Sequence, residues 1–357
     1  MTIKSAYIHI PFCNKICSYC DFAKFHYNEK WVKEYIESLN REIISLYKGD
    51  ILKTIYIGGG TPSSLSIDEL KDLFNVLQVL KLDKKYEFTF ECNMEDINED
   101  LLSFLKDNKV NRLSIGLQSF NKDILLFLNR NNKIDIKEKI NMAKKYFSNI
   151  NIDLMYGVNN QTIKDLKTDL EEFNKLDIPH ISIYVLILEE HTVLKTKSYK
   201  ELPDDLQSEM YDLIKGYLKE NNYIHYEISN FSKKGYQSNH NLTYWNNEKY
   251  YGFGLGSSGY INNTRYENTR NLKKYLNNEY VKEKHILTKK EDMENEMILG
   301  LRKIEGINKE IFKEKHNCQI SDVFDTKKLK ETKTHYYISE NELFVSNYIL
   351  RDFIDIN

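Results

Sequence analysis

Along the first two thirds of the chain, short runs of alternating or continuous apolar residues give way to longer stretches whose apolar positions recur every three or four residues. The short runs cover residues 6–10, 53–57, 87–91, 112–116, 151–155 and 180–186 and predict strands. The longer stretches cover 31–46, 66–80, 98–105, 122–128, 135–146 and 163–176 and predict amphipathic helices. Strand then helix, repeated, implies a parallel sheet, either open and doubly wound or closed toward a barrel. In both, chemistry gathers at the C-terminal ends of the strands. The unusual residues sit there: CNKICSYC follows the first strand, GGGTPS the second, Glu91 and Asn93 close the third, Gln118 follows the fourth and Asp153 ends the fifth. That common rim favours an α/β fold of the partial (β/α)6 type, an incomplete barrel with its mouth around the cysteines.

After about residue 230 the rhythm changes, through SNHNLTYW and YYGFGLGSSGY to helical stretches at 272–280 and 291–301. The expected division is a core barrel over 1–230, an extension over 231–287, and a small helical, winged-helix-like domain over 288–357. The last is expected to end in strands over 334–338 and 342–345. Its Lys/Glu-rich composition reads as a solvated face.

A net charge of −2 carries no global positive field, so neither nucleic acid nor an anionic membrane is an expected partner. With only 14 glycines and 4 prolines, low-complexity disorder is not expected. The longest apolar run, 181–188, is far shorter than the about 18 residues a membrane helix needs. MTIKSAYIHIPF lacks the features of a signal or transit peptide, and a cytoplasmic location is the expectation.

Three of the five cysteines form Cys13-x3-Cys17-x2-Cys20. Three thiolates on one short loop suit three corners of a cubane iron–sulfur cluster, leaving the fourth iron open. Zinc is the alternative, with His9 completing a Cys3His set. Cys92 and Cys318 stand apart and are expected to pack as small apolar side chains.

YIHIPFCNKICSYCDF resembles the signature of the radical S-adenosylmethionine (SAM) superfamily. The likeness is to the branch that holds oxygen-independent coproporphyrinogen III dehydrogenases (HemN) and haem chaperones (HemW). It continues through GGGTPS, RLSIGLQSFN, NIDLMYG, YEISNF and HNLTYW, over roughly residues 5 to 265. The resemblance implies a [4Fe-4S] cluster on Cys13, Cys17 and Cys20, with SAM on its open iron. It also implies SAM contacts from Tyr7, Tyr19, Gly59, Gly60, Thr61, Glu91, Gln118, Arg130 and Asp153. An electron donor such as flavodoxin or ferredoxin comes with that chemistry.

Within the branch, the dehydrogenases carry a further cysteine two residues past the third ligand and a longer N-terminal extension. Here Phe22 stands at that position, as in the chaperones, and twelve residues precede Cys13. The resemblance thus implies haem as cargo, haem proteins as acceptors, and no coproporphyrinogen dehydrogenation; a radical enzyme acting on that or another tetrapyrrole is the alternative. HNLTYW matches the HNxxYW motif, which implies His240 as a haem ligand with Tyr244 and Trp245 against the macrocycle. By residue type alone His240 reads more readily as a hydrogen-bonded core histidine, a preference that the resemblance reverses.

Four departures stand out. Asn93-Met94 replaces the family's Asn-Pro, and Asn159-Asn160 replaces Pro-Gly, a change that Asn tolerates in turns. Asn132 and Ser258 occupy positions where relatives commonly have histidine.

Overall fold

The computed structural model describes residues 2–130, 133–190, 192–197 and 199–354. Six strands form where the pattern predicts them: β1 (Ser5–Ile10), β2 (Ile51–Gly59), β3 (Lys81–Asn93), β4 (Arg112–Gln118), β5 (Ile150–Tyr156) and β6 (His180–Val185). Each pairs in parallel with the next. Between them run α1 (Glu29–Leu46), α2 (Ile67–Leu77), α3 (Glu99–Asp107), α4 (Lys122–Phe127) and α5 (Ile136–Tyr146), then α6 (Ile163–Lys175).

Local chemistry sets the helix starts. Asn28, Ser66, Asn98, Asn121, Asp135 and Thr162 each accept a first-turn backbone N–H that helix geometry leaves unpaired. The apolar faces, such as Val32, Leu39 and Ile43 of α1 and Leu70 and Leu73 of α2, join one core with Ile8, Ile57, Phe90 and Ile115 of the strands.

The intervening strand positions face inward and are polar. Pairing sets Ser5, Thr54 and Glu87 side by side, then Tyr7, Tyr56, Thr89 and Arg112, then Glu91, Ser114, Asn151 and His180. The barrel is lined in layers, and the upper ones form the site.

The strands do not close into a ring. After α7 (Asp204–Glu220), the hairpin β7 (Ile224–Glu227) and β8 (Asn230–Ser232) adds antiparallel to β6. At the other edge β9 (Tyr251–Phe253) pairs in parallel with β1, giving the order β9-β1-β2-β3-β4-β5-β6-β8-β7. Three residues are too few to show a period, so YYGFGLGSSGY gave no sign of a strand. Between them α8 (Asn239–Trp245) carries the HNLTYW segment. Strands β10 (Ser258–Ile261), β11 (Thr264–Asn268) and β12 (Val281–Ile286) make a separate antiparallel sheet. Buried Glu42 of α1 ties this extension to the barrel, accepting from the Gly254 N–H at 2.8 Å and from Asn268 Nδ2 and Tyr275 O–H at 2.6 Å each.

Past residue 287, α9 (Lys289–Gly300) and α10 (Lys309–His316) accompany a small sheet of Ile307–Asn308, His335–Tyr337 and Lys330–Glu331. The expected strand at 342–345 is absent. Glu340–Glu342 forms a 3-10 turn, and a helix follows at Ser346–Leu350. Leu343, Ser346, Ile349, Leu350 and Phe353 are all buried. That is a helical spacing, which a four-residue window read as strand could not reveal.

Candidate functional site

The cysteine loop leaves β1 at the barrel mouth, and backbone hydrogen bonds hold it there. Ser18 N–H donates to the Leu128 carbonyl at 3.3 Å, Asn129 Nδ2 to the Ile16 carbonyl at 2.9 Å, and Leu194 N–H to the Ser18 carbonyl at 3.0 Å. Cys13 is buried, while Cys17 and Cys20 are half-buried. Burial pushes the Cys13 thiol up to about 11, against a 3.4 Å hydrogen bond from Thr61 Oγ1, and burial also raises Cys20. Such thiols ionise when a metal takes them.

Among the described residues, no three His, Cys, Asp or Glu side chains converge closely enough for a single ion. His9 is also engaged: Nε2 bonds the Ala23 carbonyl at 2.7 Å and Nδ1 the Tyr7 hydroxyl at 3.0 Å. Burial lowers its pKa to about 4. The Cys3His zinc arrangement therefore does not assemble, whereas three thiols along one loop are the donor set of a cubane with one open iron.

Beside the cysteines lies a cavity of about 140 Å³. Tyr19, Gly59, Gly60, Thr61, Glu91, Gln118, Arg130 and Asp153 all line it, so eight of the nine residues matched to a SAM pocket meet at one place with Cys13, Cys17 and Cys20. Tyr7 does not. Its ring stands against Tyr56 at 6.1 Å and its hydroxyl meets His9, off the cavity wall. Six residues before Cys13 on an extended strand is a layer deeper than the rim.

The GGG turn fits its neighbours closely. A Cβ at Gly58 would lie 2.6 Å from the Glu91 carboxyl carbon, and one at Gly59, whose φ is +114°, would lie 2.4 Å from the His9 ring. Gln118 is a non-glycine residue with φ +79°, at a register shift between β4 and β5. Strain of this kind persists where surrounding contacts over-determine it, and here it sits on the cavity wall. Polar contacts link the wall to the cysteines: Arg130 donates to Asn93 Oδ1 at 2.6 Å, Asn93 Nδ2 to Thr61 Oγ1 at 3.2 Å, and Thr61 to Cys13.

Glu91 accepts from the Tyr56 hydroxyl at 2.7 Å and the Gly59 N–H at 3.0 Å. Burial outweighs both and pushes its carboxyl up to about 7. Burial also raises Asp153, although Asn151 Nδ2 donates to it at 2.7 Å. The pocket thus holds two acids that a cationic, hydroxyl-rich ligand would relieve.

Below this cavity a second one, of about 320 Å³, runs down the barrel interior and includes Tyr56, Arg112, Ser114, Asn151, Ser182 and Tyr184. Sequence reading passed over these residues. Each stands at an even-numbered offset from a singled-out position on its strand or its neighbour's, so period-two counting inward was the available signal.

At the base, helix α8 closes the barrel against the first register layer. Glu87 accepts from the Asn239 N–H at 2.9 Å and the His240 N–H at 3.0 Å, and Ser5 Oγ meets Thr243 Oγ1 at 2.9 Å. His240 is buried, with Nδ1 on Thr54 Oγ1 and Nε2 on the Tyr244 hydroxyl, both at 2.8 Å. Burial lowers its pKa to about 3. The expectation of an iron ligand meets a histidine with no free nitrogen, the arrangement of a hydrogen-bonded core residue. Tyr244 packs edge-on to Tyr250, and Trp245 lies beneath the Arg302 guanidinium at a cleft next to the C-terminal helices. The three motif residues do not share one face.

Ser258 is exposed at the start of β10 and lines neither cavity, and Asn132 lies outside the described residues. Asn160 takes φ +59°, the left-handed geometry that Asn tolerates in place of glycine. Cys92 is buried in the core, and Cys318 lies 3.7 Å from Met293 Sδ. No helix among the described residues is long and apolar enough to cross a membrane.

Comparison with known proteins matches residues 7–173 to the radical SAM superfamily and residues 287–342 to the HemN C-terminal domain. The chain is 39% identical to the haem chaperone HemW of Lactococcus lactis subsp. lactis, over 99% of this chain and 98% of that one. It is 42% identical to the haem chaperone HemW of Bacillus subtilis, over 90% of this chain and 89% of that protein. Among solved structures, coproporphyrinogen III oxidase (HemN) from Escherichia coli superimposes with a TM-score of 0.86 at 19% identity, over 99% of this chain and 90% of that chain.

Proposed function

The chain belongs to the haem chaperone HemW family of the radical SAM superfamily, and from that premise we propose that it binds haem and delivers it to haem-dependent acceptor proteins. The observation that carries this reading is similarity to haem chaperones along nearly the whole chain. Phe22, 65% exposed at the mouth, supports it: an aromatic there offers a macrocycle a face to pack on.

Superfamily membership implies a [4Fe-4S] cluster and SAM. Cys13, Cys17 and Cys20 would hold the cluster, and Tyr19, Gly59, Gly60, Thr61, Glu91, Gln118, Arg130 and Asp153 the SAM. When bound, the pair supplies reductive cleavage of the sulfonium to a 5′-deoxyadenosyl radical. The chain's own part is positional. The glycine turn brings backbone close to the ligand, Arg130 offers a fork to a carboxylate, and Glu91 and Asp153 accept from ammonium or ribose. Flavodoxin or ferredoxin is the proposed electron donor. Residues 1–230, 231–287 and 288–357 are the proposed core, extension and C-terminal domain. His240 is read as the anchor of the base helix, and Tyr244 as its partner.

An anaerobic haem titration of cluster-reconstituted protein, followed in the haem absorption band, tests the proposal. Saturable, stoichiometric binding and subsequent transfer to an apo haem protein are expected. Absence of specific binding, together with 5′-deoxyadenosine formation on adding coproporphyrinogen, would replace the carrier with a radical enzyme.

A further inference from the structure

Arg112 is the largest side chain that the fold encloses, 2% exposed, on the inner face of β4. Its Nε is sealed without an acceptor, and among the described residues its guanidinium makes no ion pair. Thr89, its pairing partner on β3, has an Oγ1 sealed without a partner as well. A guanidinium cannot shed its proton to ease burial, and an unpaired buried charge is an arrangement that folds avoid. The contrast within the molecule is direct. Around the larger cleft of about 670 Å³ near the C-terminal helices, Lys303 and Lys315 already pair with Glu305 and Glu296.

Glu91 and Asp153 feel the Arg112 charge, but among the described residues no carboxylate contacts it directly, and such a partner has a place to sit. Arg112 lines the 320 Å³ cavity that passes Ser114 and Tyr56 and opens at Phe22 and Tyr184, which are 65% and 41% exposed. That volume is at the low end of the roughly 300–1,000 Å³ of drug-sized ligand pockets, the scale of a small acid or one arm of a larger molecule. Glu91 and Asp153 share the wall and already draw on the Arg112 charge, so the site favours at most one further negative charge.

We propose that Arg112 forms the floor of a carboxylate-binding subsite beneath the SAM pocket, taking either a small monocarboxylic acid or a carboxylate arm of the tetrapyrrole. The arm alternative rests on the haem reading above; the small-acid alternative does not. Two parallel N–H donors match the two carboxylate oxygens, and neutral Ser114, whose hydroxyl accepts from Asn151 and keeps its own proton to donate, stands beside them.

The test uses cluster-reconstituted wild type, Arg112→Gln and Arg112→Lys, titrated anaerobically with haem, with haem dimethyl ester, and separately with propionate in thermal unfolding. If the arm binds, the wild type prefers haem to its diester by roughly tenfold or more. Arg112→Gln then loses that preference, and Arg112→Lys regains part of it. If a small acid binds, haem and diester are held alike, while propionate raises the unfolding temperature of wild type and not of Arg112→Gln. The subsite is overturned if the haem-to-diester ratio survives in Arg112→Gln. It is also overturned if wild type neither separates haem from diester nor responds to propionate, a result that stands even where the variants fail to fold. Should wild type bind no haem at all, the carrier reading falls, and the propionate arm alone decides Arg112.

Discussion

At the base of the barrel, His240 has both ring nitrogens bonded, and Glu87 accepts backbone N–H groups on both carboxylate oxygens. At the mouth and in the cavity below it, burial pushes the Glu91 carboxyl up to about 7, Arg112 makes no ion pair among the described residues, and three cysteines stand on one loop without bonding one another. Both ends bury a glutamate among polar side chains. What separates them is unused capacity: a polar group whose partners are all within the chain is holding structure, whereas a buried one left short is waiting for a ligand.

The strongest way to sharpen that contrast is at the cysteines. Cys17→Ala in anaerobically purified protein is expected to lose the iron and sulfide of the reconstituted cluster entirely while remaining folded by circular dichroism. Retention of a full cluster would remove the loop from the site.

A large effect of a different kind is expected at the base. His240→Ala strands Thr54 and Tyr244 and opens a void, so a loss of roughly 2–4 kcal/mol in denaturant unfolding is expected. Haem affinity of the folded fraction should not change. The opposite pattern, intact stability with weakened haem binding, would move His240 from the scaffold to the cargo site.

A smaller and more diagnostic effect belongs to Glu91. Its carboxyl is raised by burial from 4.5 in the unfolded chain to about 7 in the fold. Between those values the folded protein keeps a proton that the unfolded chain has released, so its stability contribution is full below the lower value and declines as pH rises through the higher. A cationic ligand reverses the preference and expels the proton. SAM affinity, measured calorimetrically on reconstituted protein, should therefore increase as pH rises through about 7, by up to about tenfold per unit on the acid side. Glu91→Gln should flatten that profile; an unchanged slope would assign it to another group.

Much of the mouth was legible in the sequence because its chemistry is carried by local patterns. Cys13, Cys17 and Cys20 lie within one loop, Gly59 and Gly60 within one turn, and Glu91, Gln118 and Asp153 each stand in the C-terminal part of a strand whose alternation marks its direction. Strand ends in a parallel sheet converge, so residues far apart in sequence could be assigned to one rim. Tyr7 stands a layer deeper than the other matched residues, because position on a strand decides depth as well as direction. The strand at Tyr251–Phe253 and the helix at Ser346–Leu350 were missed because each is too short for its period to register.

The sequence by itself determined the order of strands and helices, the cysteine loop and the family to which the chain belongs, since periodicity, capping residues and closely spaced ligands are local properties. Only the tertiary structure decided which polar residues are satisfied. Ser5, Thr54 and Glu87 are ordinary strand residues until pairing sets them in one layer under α8, and there they turn HNLTYW into a closure. Arg112 opens a motif like any other strand residue until the fold encloses it with its Nε unpartnered. Burial and partnership depend on which distant segments meet, and no local pattern carries that information.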